Sequence, residues 1–313
     1  MKKIIIRTPN FIGDTINTTP CLELIKQEYP EAEFTIVGPD FVRELFKYDP
    51  RITHYITFPL KRKKKLSTYW KIVRELRKEN GELGVIFVNT FISALLFRLG
   101  NVKKNIGYNR EGRGFLLDFS PEINYHKHYI NRYAFLFNEY IGNKYVYLPE
   151  LSLRHTGQKT FQFDNSHKTI ALYLGGENKE YAVQLLRLLN RQGYNLLLIG
   201  DENDNIKHTQ YAEEARIDHL INLTARTTIE GFINTIANVD LIITIDSSAL
   251  HIAAAVKTPF IALMGLSTSP TSTILPKVPL GRILKIENNL IREEDYIRNI
   301  TPDLILKTVS ELI

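Results

Sequence analysis

The chain has 313 residues, of which 44% are hydrophobic and 24% are charged, so it can fold around about two ordinary cores and is not a disordered chain. Its single cysteine, Cys21, excludes an intrachain disulfide and a cysteine metal site. No apolar run approaches the ~18 residues of a membrane span, and the run 4–6 is too short for a secretion signal, so we expect a cytoplasmic protein.

The N-terminal half alternates predicted strands with predicted helices. Residues 4–6 are consecutive isoleucines without the alternation of a half-exposed strand, which is typical of a strand buried in a parallel sheet. Ser67 is placed to cap a helix whose apolar residues recur at helical spacing. The pattern predicts strands at 4–6, 34–37, 52–58 and 85–88, and helices at 15–29, at 41–48, from Ser67 onward and at 94–99.

A polar stretch separates this half from the next. The alternation is lost between about 141 and 167, so we place a boundary near residue 155, giving domains 1–155 and 156–313. Thr301 followed by Pro302 predicts the start of a last helix, because an N-cap residue precedes proline at the first helical position. The second half otherwise predicts strands at 168–174, 195–199, 241–245 and 259–263, and helices at 181–191 and 249–256.

The repeated alternation indicates the fold class. Two successive runs of strands and helices predict an α/β protein with two Rossmann-like, doubly wound domains, each built on a parallel sheet. Ligands of such sheets bind beyond the carboxyl ends of the strands. The loops that follow the strands are therefore the candidate binding loops.

The strongest single motif follows the predicted strand 241–245. Asp246 ends the strand, and Ser247 and Ser248 open a helix whose free backbone N–H groups and hydroxyls suit a diphosphate. His251 lies four residues after Ser247 and so on the same helix face. The alternative is an ordinary helix start, with Asp246 as its cap and a structural histidine.

Two further loops of this half have a suitable composition. Gly175 and Gly176 allow a close approach of the backbone, and Lys179 can neutralise a phosphate. A plain flexible loop has the same composition. The loop 265–270 contains small and hydroxyl residues that suit a phosphate or a simple turn equally well.

In the first half, Gly13 and Asp14 follow the first predicted strand. Asp14 is placed either to cap the helix that begins at Thr15 or to act as a general base on a sugar hydroxyl. The residues alone leave both interpretations open.

Much of the excess positive charge, +6 for the chain, is concentrated in the run 61–65, which attracts phosphates on nucleic acid, on anionic lipid or on a phosphorylated substrate. The nucleotide and hydrolase motifs G-x-x-x-x-G-K-[ST], G-x-G-x-x-G, G-x-S-x-G and H-E-x-x-H do not occur. Their absence disfavours P-loop kinases, NAD enzymes, α/β-hydrolases and zinc proteases.

Several motifs occur together in one order along the chain. They are Gly13-Asp14 with Thr19-Pro20, His128-x-x-x-Arg132-Tyr133, Asn222-Leu223-Thr224, and Asp246-Ser247-Ser248-x-x-His251 followed by the alanines 253–255. This ordered set resembles glycosyltransferase family 9, the ADP-heptose:lipopolysaccharide heptosyltransferases. Within the family, the segments Asn89-Thr90-Phe91 and Gly107-Tyr108-x-Arg110-x-x-Arg113 most resemble the heptosyltransferase II branch.

The resemblance implies a GT-B architecture, in which an N-terminal acceptor-binding domain and a C-terminal nucleotide-sugar-binding domain face each other across a cleft. It also implies an inverting transfer of heptose from ADP-heptose to the inner core of a lipopolysaccharide precursor, with no cofactor and no metal. The enzyme would add the second heptose and contact the inner face of the cytoplasmic membrane transiently, without binding nucleic acid.

By the same resemblance, Asp14 is the base that deprotonates the acceptor hydroxyl, and Lys179 helps to hold the diphosphate. The donor-binding residues are Gly13, Gly175, Gly176, Lys179, Asp246, Ser247, Ser248 and His251. The acceptor-binding residues are Asn89, Lys63, Lys64, Arg110 and Arg113. The sequence departs from the family at two places. Ser248 stands where the family has a glycine, and the family's Pro-Gly-Ala and Lys-Arg-Trp-Pro segment is reduced here to Leu174-Gly175-Gly176 and Lys179-Glu180-Tyr181. These departures put the role of Lys179 and the identity of the sugar in question.

Two alternatives remain at this point. One is a family member that uses another nucleotide sugar for a different surface glycan. The other is a non-catalytic polyanion-binding protein that uses the basic run 61–65.

Overall fold

A parallel sheet forms the centre of the N-terminal unit, Met1–Arg154, of the computed structural model. The structure describes residues 1–60, 66–175, 178–265, 276, 278–285 and 297–313. The strands of this unit are β1 Lys3–Arg7, β2 Glu33–Gly38, β3 Ile52–Thr57, β4 Leu83–Ile86 and β5 Lys104–Ile106. Its helices are α1 Ile12–Ile16, α2 Thr19–Glu28, α3 Phe41–Leu45, α4 Leu66–Glu79, α5 Phe91–Leu99 and α6 Tyr129–Tyr140.

The apolar run of β1 explains its central place in this sheet. Ile4, Ile5 and Ile6 are fully buried, and β1 pairs in parallel with β2 on one side and with β4 on the other. Side chains alternate between the two faces of a strand, so three consecutive buried isoleucines require cover on both faces. The strand order is β3-β2-β1-β4-β5.

The helix predicted at 15–29 is two helices, α1 and α2. Pro20 has no N–H to donate to the carbonyl of Ile16, so one continuous helix would leave that carbonyl without its bond. The Thr19 hydroxyl donates to the Ile16 carbonyl instead, at 2.8 Å. The cap predicted at Ser67 is also corrected, because α4 already begins at Leu66 and Ser67 lies inside its first turn.

The C-terminal unit begins at His155 and contains a second parallel sheet, in the order β11-β10-β9-β6-β7-β8. The N-cap predicted at Thr301 is confirmed, since its hydroxyl accepts a hydrogen bond from the Leu304 amide at 3.3 Å. The strands are β6 Thr169–Tyr173, β7 Asn195–Leu198, β8 Leu220–Asn222, β9 Leu241–Ile245, β10 Phe260–Met264 and β11 Gly281–Lys285. The helices are α7 Lys179–Arg191, α8 Asn205–Ala215, α9 Ile229–Ala237, α10 Ser248–Val256 and α11 Pro302–Leu312.

Both sheets have the strand order of a Rossmann domain. Counted within its own unit, the second sheet runs 3-2-1-4-5-6 and the first follows the same order with one strand fewer. The predicted pair of Rossmann-like sheets is therefore confirmed. In each sheet the strand order reverses at one place, between β1 and β4 and between β6 and β9, and ligands of this fold bind beyond the carboxyl ends of the strands at that switch point.

No helix in the described ranges is both long and apolar enough to cross a bilayer.

Candidate functional site

The switch point of the C-terminal unit is built around Gly175, which follows β6. Its φ of +59° lies in the left-handed region, and a Cβ placed on it would stand 2.6 Å from Cδ1 of Ile245, the last residue of β9. Glycine satisfies both the backbone conformation and the close approach. Gly175 is thereby held against the end of β9.

We expect Gly175→Ala to destabilise the protein more than Gly193→Ala. Gly193 also has a positive φ, of +84°, but a Cβ placed there meets nothing within 4 Å. The control therefore isolates the left-handed backbone cost of about 1–2 kcal/mol, to which Gly175→Ala adds about 1 kcal/mol or more for displacing Ile245. Urea unfolding measures both variants, and equal losses would contradict the close packing.

Helix α7 begins beside this loop. The Asn178 side chain caps it by accepting a hydrogen bond from the Tyr181 amide at 3.2 Å, and Lys179 is its first residue. The Lys179 ammonium lies 2.7 Å from a carboxylate oxygen of Glu214 in α8, and this hydrogen bond raises the pKa of Lys179. Both side chains are about half exposed, and such ion pairs contribute little to stability, so a bound phosphate can compete for the lysine.

Helix α10 begins on the other side of the switch point, after β9. Its cap is Ser247 rather than Asp246: the Ser247 hydroxyl accepts from the Ala249 amide at 3.2 Å and is 2.9 Å from the Thr244 hydroxyl. Asp246 is half-buried, and burial raises the pKa of its carboxyl. Ser248 is the first residue of α10, and His251 is buried one turn further along.

The switch point of the N-terminal unit carries Asp14 and Asn89. Asp14 is half-buried at the third position of α1, which begins at Ile12, so it does not cap a helix starting at Thr15. Gly13 precedes it in the same helix. Asn89 is half-buried in the loop after β4. Because β1 and β4 are neighbours, these residues follow the two strands that flank the switch point.

Two buried arginines donate hydrogen bonds to the residues of these two loops. Arg7, at the end of β1, donates to the Thr8 carbonyl and to Oδ1 of Asn10 (2.9 Å), and its guanidinium lies 4.1 Å from the centroid of the Phe58 ring. Burial lowers the pKa of Arg7 to about 9. The sequence patterns did not single out Arg7, although an arginine that ends an apolar strand is unusual.

Arg113 holds the neighbouring loop in the same way. It donates to the carbonyls of Val88 and Tyr108 and to Oδ1 of Asn89 (3.0 Å), and burial lowers its pKa to about 10. Arg113 is fully buried, so its predicted contact with the acceptor is corrected: it orients Asn89. Across the described ranges, neither Arg7 nor Arg113 has a carboxylate within ion-pairing distance.

This chain matches the profile of a known enzyme family. The profile of glycosyltransferase family 9 (heptosyltransferase) matches residues 69–294, more than half of the chain. The chain belongs to this family. It is a glycosyltransferase, and the alternative of a non-catalytic polyanion-binding protein is not supported.

Relatives of this family 9 enzyme match over the whole chain. Lipooligosaccharide heptosyltransferase 2 of Haemophilus influenzae is 26% identical and that of Haemophilus ducreyi is 25% identical, with 99% of both chains covered in each comparison. The structure of E. coli ADP-heptose lps heptosyltransferase II superposes with a TM-score of 0.86 at 20% identity, covering 100% of this chain and 98% of that one. The last comparison shows a shared fold.

The remaining predicted site residues of the family 9 enzyme are distributed as follows. Arg110 is exposed, with its guanidinium 5.6 Å from the centroid of the Tyr125 ring. Lys63, Lys64 and Gly176 lie outside the described residues, as does the loop 266–270. In the described part of the chain, no three His, Cys, Asp or Glu side chains are grouped in a way that could hold a metal ion.

Proposed function

We propose that the enzyme transfers heptose from ADP-L-glycero-D-manno-heptose to the inner core of a lipopolysaccharide precursor, adding the second heptose. The observation that carries this proposal is that the family motifs coincide with both switch points. Gly13-Asp14 follows β1, and Asp246-Ser247-Ser248 follows β9. The full-length relatives that are named heptosyltransferase 2 support the choice of sugar and acceptor.

The C-terminal unit would bind the donor. The helices α7 and α10 begin after the neighbouring strands β6 and β9, and free backbone N–H groups at helix starts suit a diphosphate. Ser247, Ser248 and His251 would belong to the α10 side of this site. On the α7 side, Lys179 would exchange Glu214 for a phosphate and stabilise the charge that develops on the departing ADP.

The N-terminal unit would bind the acceptor and start the reaction. Asp14 would remove the proton from the acceptor heptose hydroxyl, whose oxygen then bonds to the anomeric carbon of the donor with inversion. The bond from that carbon to the phosphate oxygen breaks and ADP leaves with the electron pair. Asn89 and Arg110 would contact the acceptor, while Lys63 and Lys64 would hold the precursor at the inner face of the cytoplasmic membrane.

A donor panel tests this proposal. We expect ADP release from ADP-heptose when a heptose-bearing lipopolysaccharide acceptor is present, little release without the acceptor, and no turnover of UDP- or GDP-linked sugars. Because the proposed transfer requires no metal, we expect EDTA to leave the rate unchanged. Turnover of another nucleotide sugar in place of ADP-heptose would assign the enzyme to a different surface glycan.

A further inference from the structure

A buried histidine, His208, connects three separate segments of the C-terminal unit. It lies in α8 and is fully buried. Its Nε2 is 3.2 Å from the carbonyl oxygen of Gly175, which follows β6, and its Nδ1 is 2.8 Å from the hydroxyl of Thr224, which follows β8. The imidazole therefore fixes the carbonyl of the glycine that follows β6.

The two partners determine the tautomer of the ring. A backbone carbonyl only accepts, so Nε2 carries the hydrogen and donates it to Gly175, which leaves Nδ1 to accept from the Thr224 hydroxyl. This assignment requires a neutral imidazole. Burial lowers the pKa of His208, and that effect is larger than the opposing influence of Asp204, Asp201 and the Gly175 hydrogen bond.

The Gly175 peptide is thus held from two sides. Ile245 of β9 blocks the space where a Cβ would stand, and His208 fixes the carbonyl. Gly175 lies three residues before Asn178, the cap of α7, and four before Lys179. A carbonyl fixed at this place orients the Gly175 backbone at the carboxyl end of β6, where ligands of this fold bind.

We propose that His208 is a positioning residue for the donor: its imidazole pre-organises the Gly175 peptide, at the carboxyl end of β6, for the diphosphate of ADP. The inference rests on the proposed function, because it assumes that this switch point binds ADP-heptose. His208 touches no substrate and acts only through Gly175. Pre-organisation lowers the cost of ordering a binding loop, so its loss appears mainly in donor affinity.

The test measures ADP binding by calorimetry and the KM of each substrate. We expect His208→Leu to weaken ADP binding and raise the KM for ADP-heptose by about tenfold, since one buried hydrogen bond is lost, with the acceptor KM unchanged. His208→Gln keeps an N–H near the Nε2 position and is expected to restore donor affinity to within about threefold of the wild type. His219, an exposed histidine of the same unit, provides the control variant His219→Leu, which should leave both constants unchanged.

A second variant keeps the proposal testable if His208→Leu does not fold. Thr224→Val removes the hydroxyl that donates to Nδ1 with little change in volume, so the imidazole loses one of the two hydrogen bonds that orient it and can turn away from the Gly175 carbonyl. We expect weaker ADP binding in the same direction as for His208→Leu. Wild-type ADP affinity in folded His208→Leu or Thr224→Val would overturn the positioning role alone, whereas a wild-type enzyme that fails to bind ADP would overturn the proposed function as well.

Discussion

Asp14→Asn is expected to lower kcat by about 10²–10⁴-fold, the usual contribution of a general base. The amide has nearly the same shape as the carboxyl but cannot accept the proton of the acceptor hydroxyl. Asp14 lies in the first turn of α1, so its loss also removes a favourable charge at a helix start, which contributes only about 0.3–1 kcal/mol. ADP binding should stay near the wild-type value, because the residues assigned to the diphosphate, Lys179, Ser247 and Ser248, lie in the C-terminal unit.

The matched control for this variant is Asp40→Asn. Asp40 is an exposed carboxylate that follows β2 in the same sheet, and its side chain makes no capping hydrogen bond to α3. Steady-state kinetics with saturating acceptor should give a near-normal kcat for Asp40→Asn. A kcat of Asp14→Asn within about tenfold of the wild type, well short of what a general base supplies, would remove Asp14 as the base.

Arg113→Met is expected to lower the free energy of unfolding by about 2–4 kcal/mol. Methionine fills a similar volume, but it leaves the buried carbonyl of Tyr108, and the half-buried carbonyl of Val88 and Oδ1 of Asn89, without their donor. Part of this cost is offset because the variant no longer buries an unpaired charge. Denaturant unfolding at neutral pH measures the loss.

Arg110→Met separates this internal role from acceptor binding. Arg110 is exposed, so its removal should change the free energy of unfolding by less than about 0.5 kcal/mol while it raises the acceptor KM. If Arg113→Met were as stable as the wild type and altered only the acceptor KM, the guanidinium would contact the acceptor after all. The buried position of Arg113, in which its guanidinium donates to Asn89, would then not be its position in the active enzyme.

The strands that the sequence predicted best are the central ones. The apolar runs of β1 and β9 are long enough, and buried on both faces, to be recognised without any partner. The edge strands β5, β8 and β11 were missed, since β5 and β8 have three residues each and β11 is mostly exposed. The helix α8 was missed because only His208, Tyr211 and Ala215 of its residues are buried, too few for a clear apolar stripe.

The candidate site was predictable only where residues follow a strand. Asp14 and Ser247 could be located because a buried run precedes each of them. Arg7, Arg113 and His208 owe their roles to backbone carbonyls, some of them 25 to 33 residues away in the chain, and no spacing rule encodes such partners. The cap at Ser247 instead of Asp246 depends on the local backbone conformation, which the residue types leave open.

The most direct test of the heptosyltransferase assignment is mass spectrometry of the acceptor after incubation with ADP-heptose and the wild-type enzyme. We expect a lipopolysaccharide precursor with one inner-core heptose to gain one heptosyl unit for each ADP released. ADP release without any heptosylated product, or addition of a different sugar from another nucleotide donor, would contradict it.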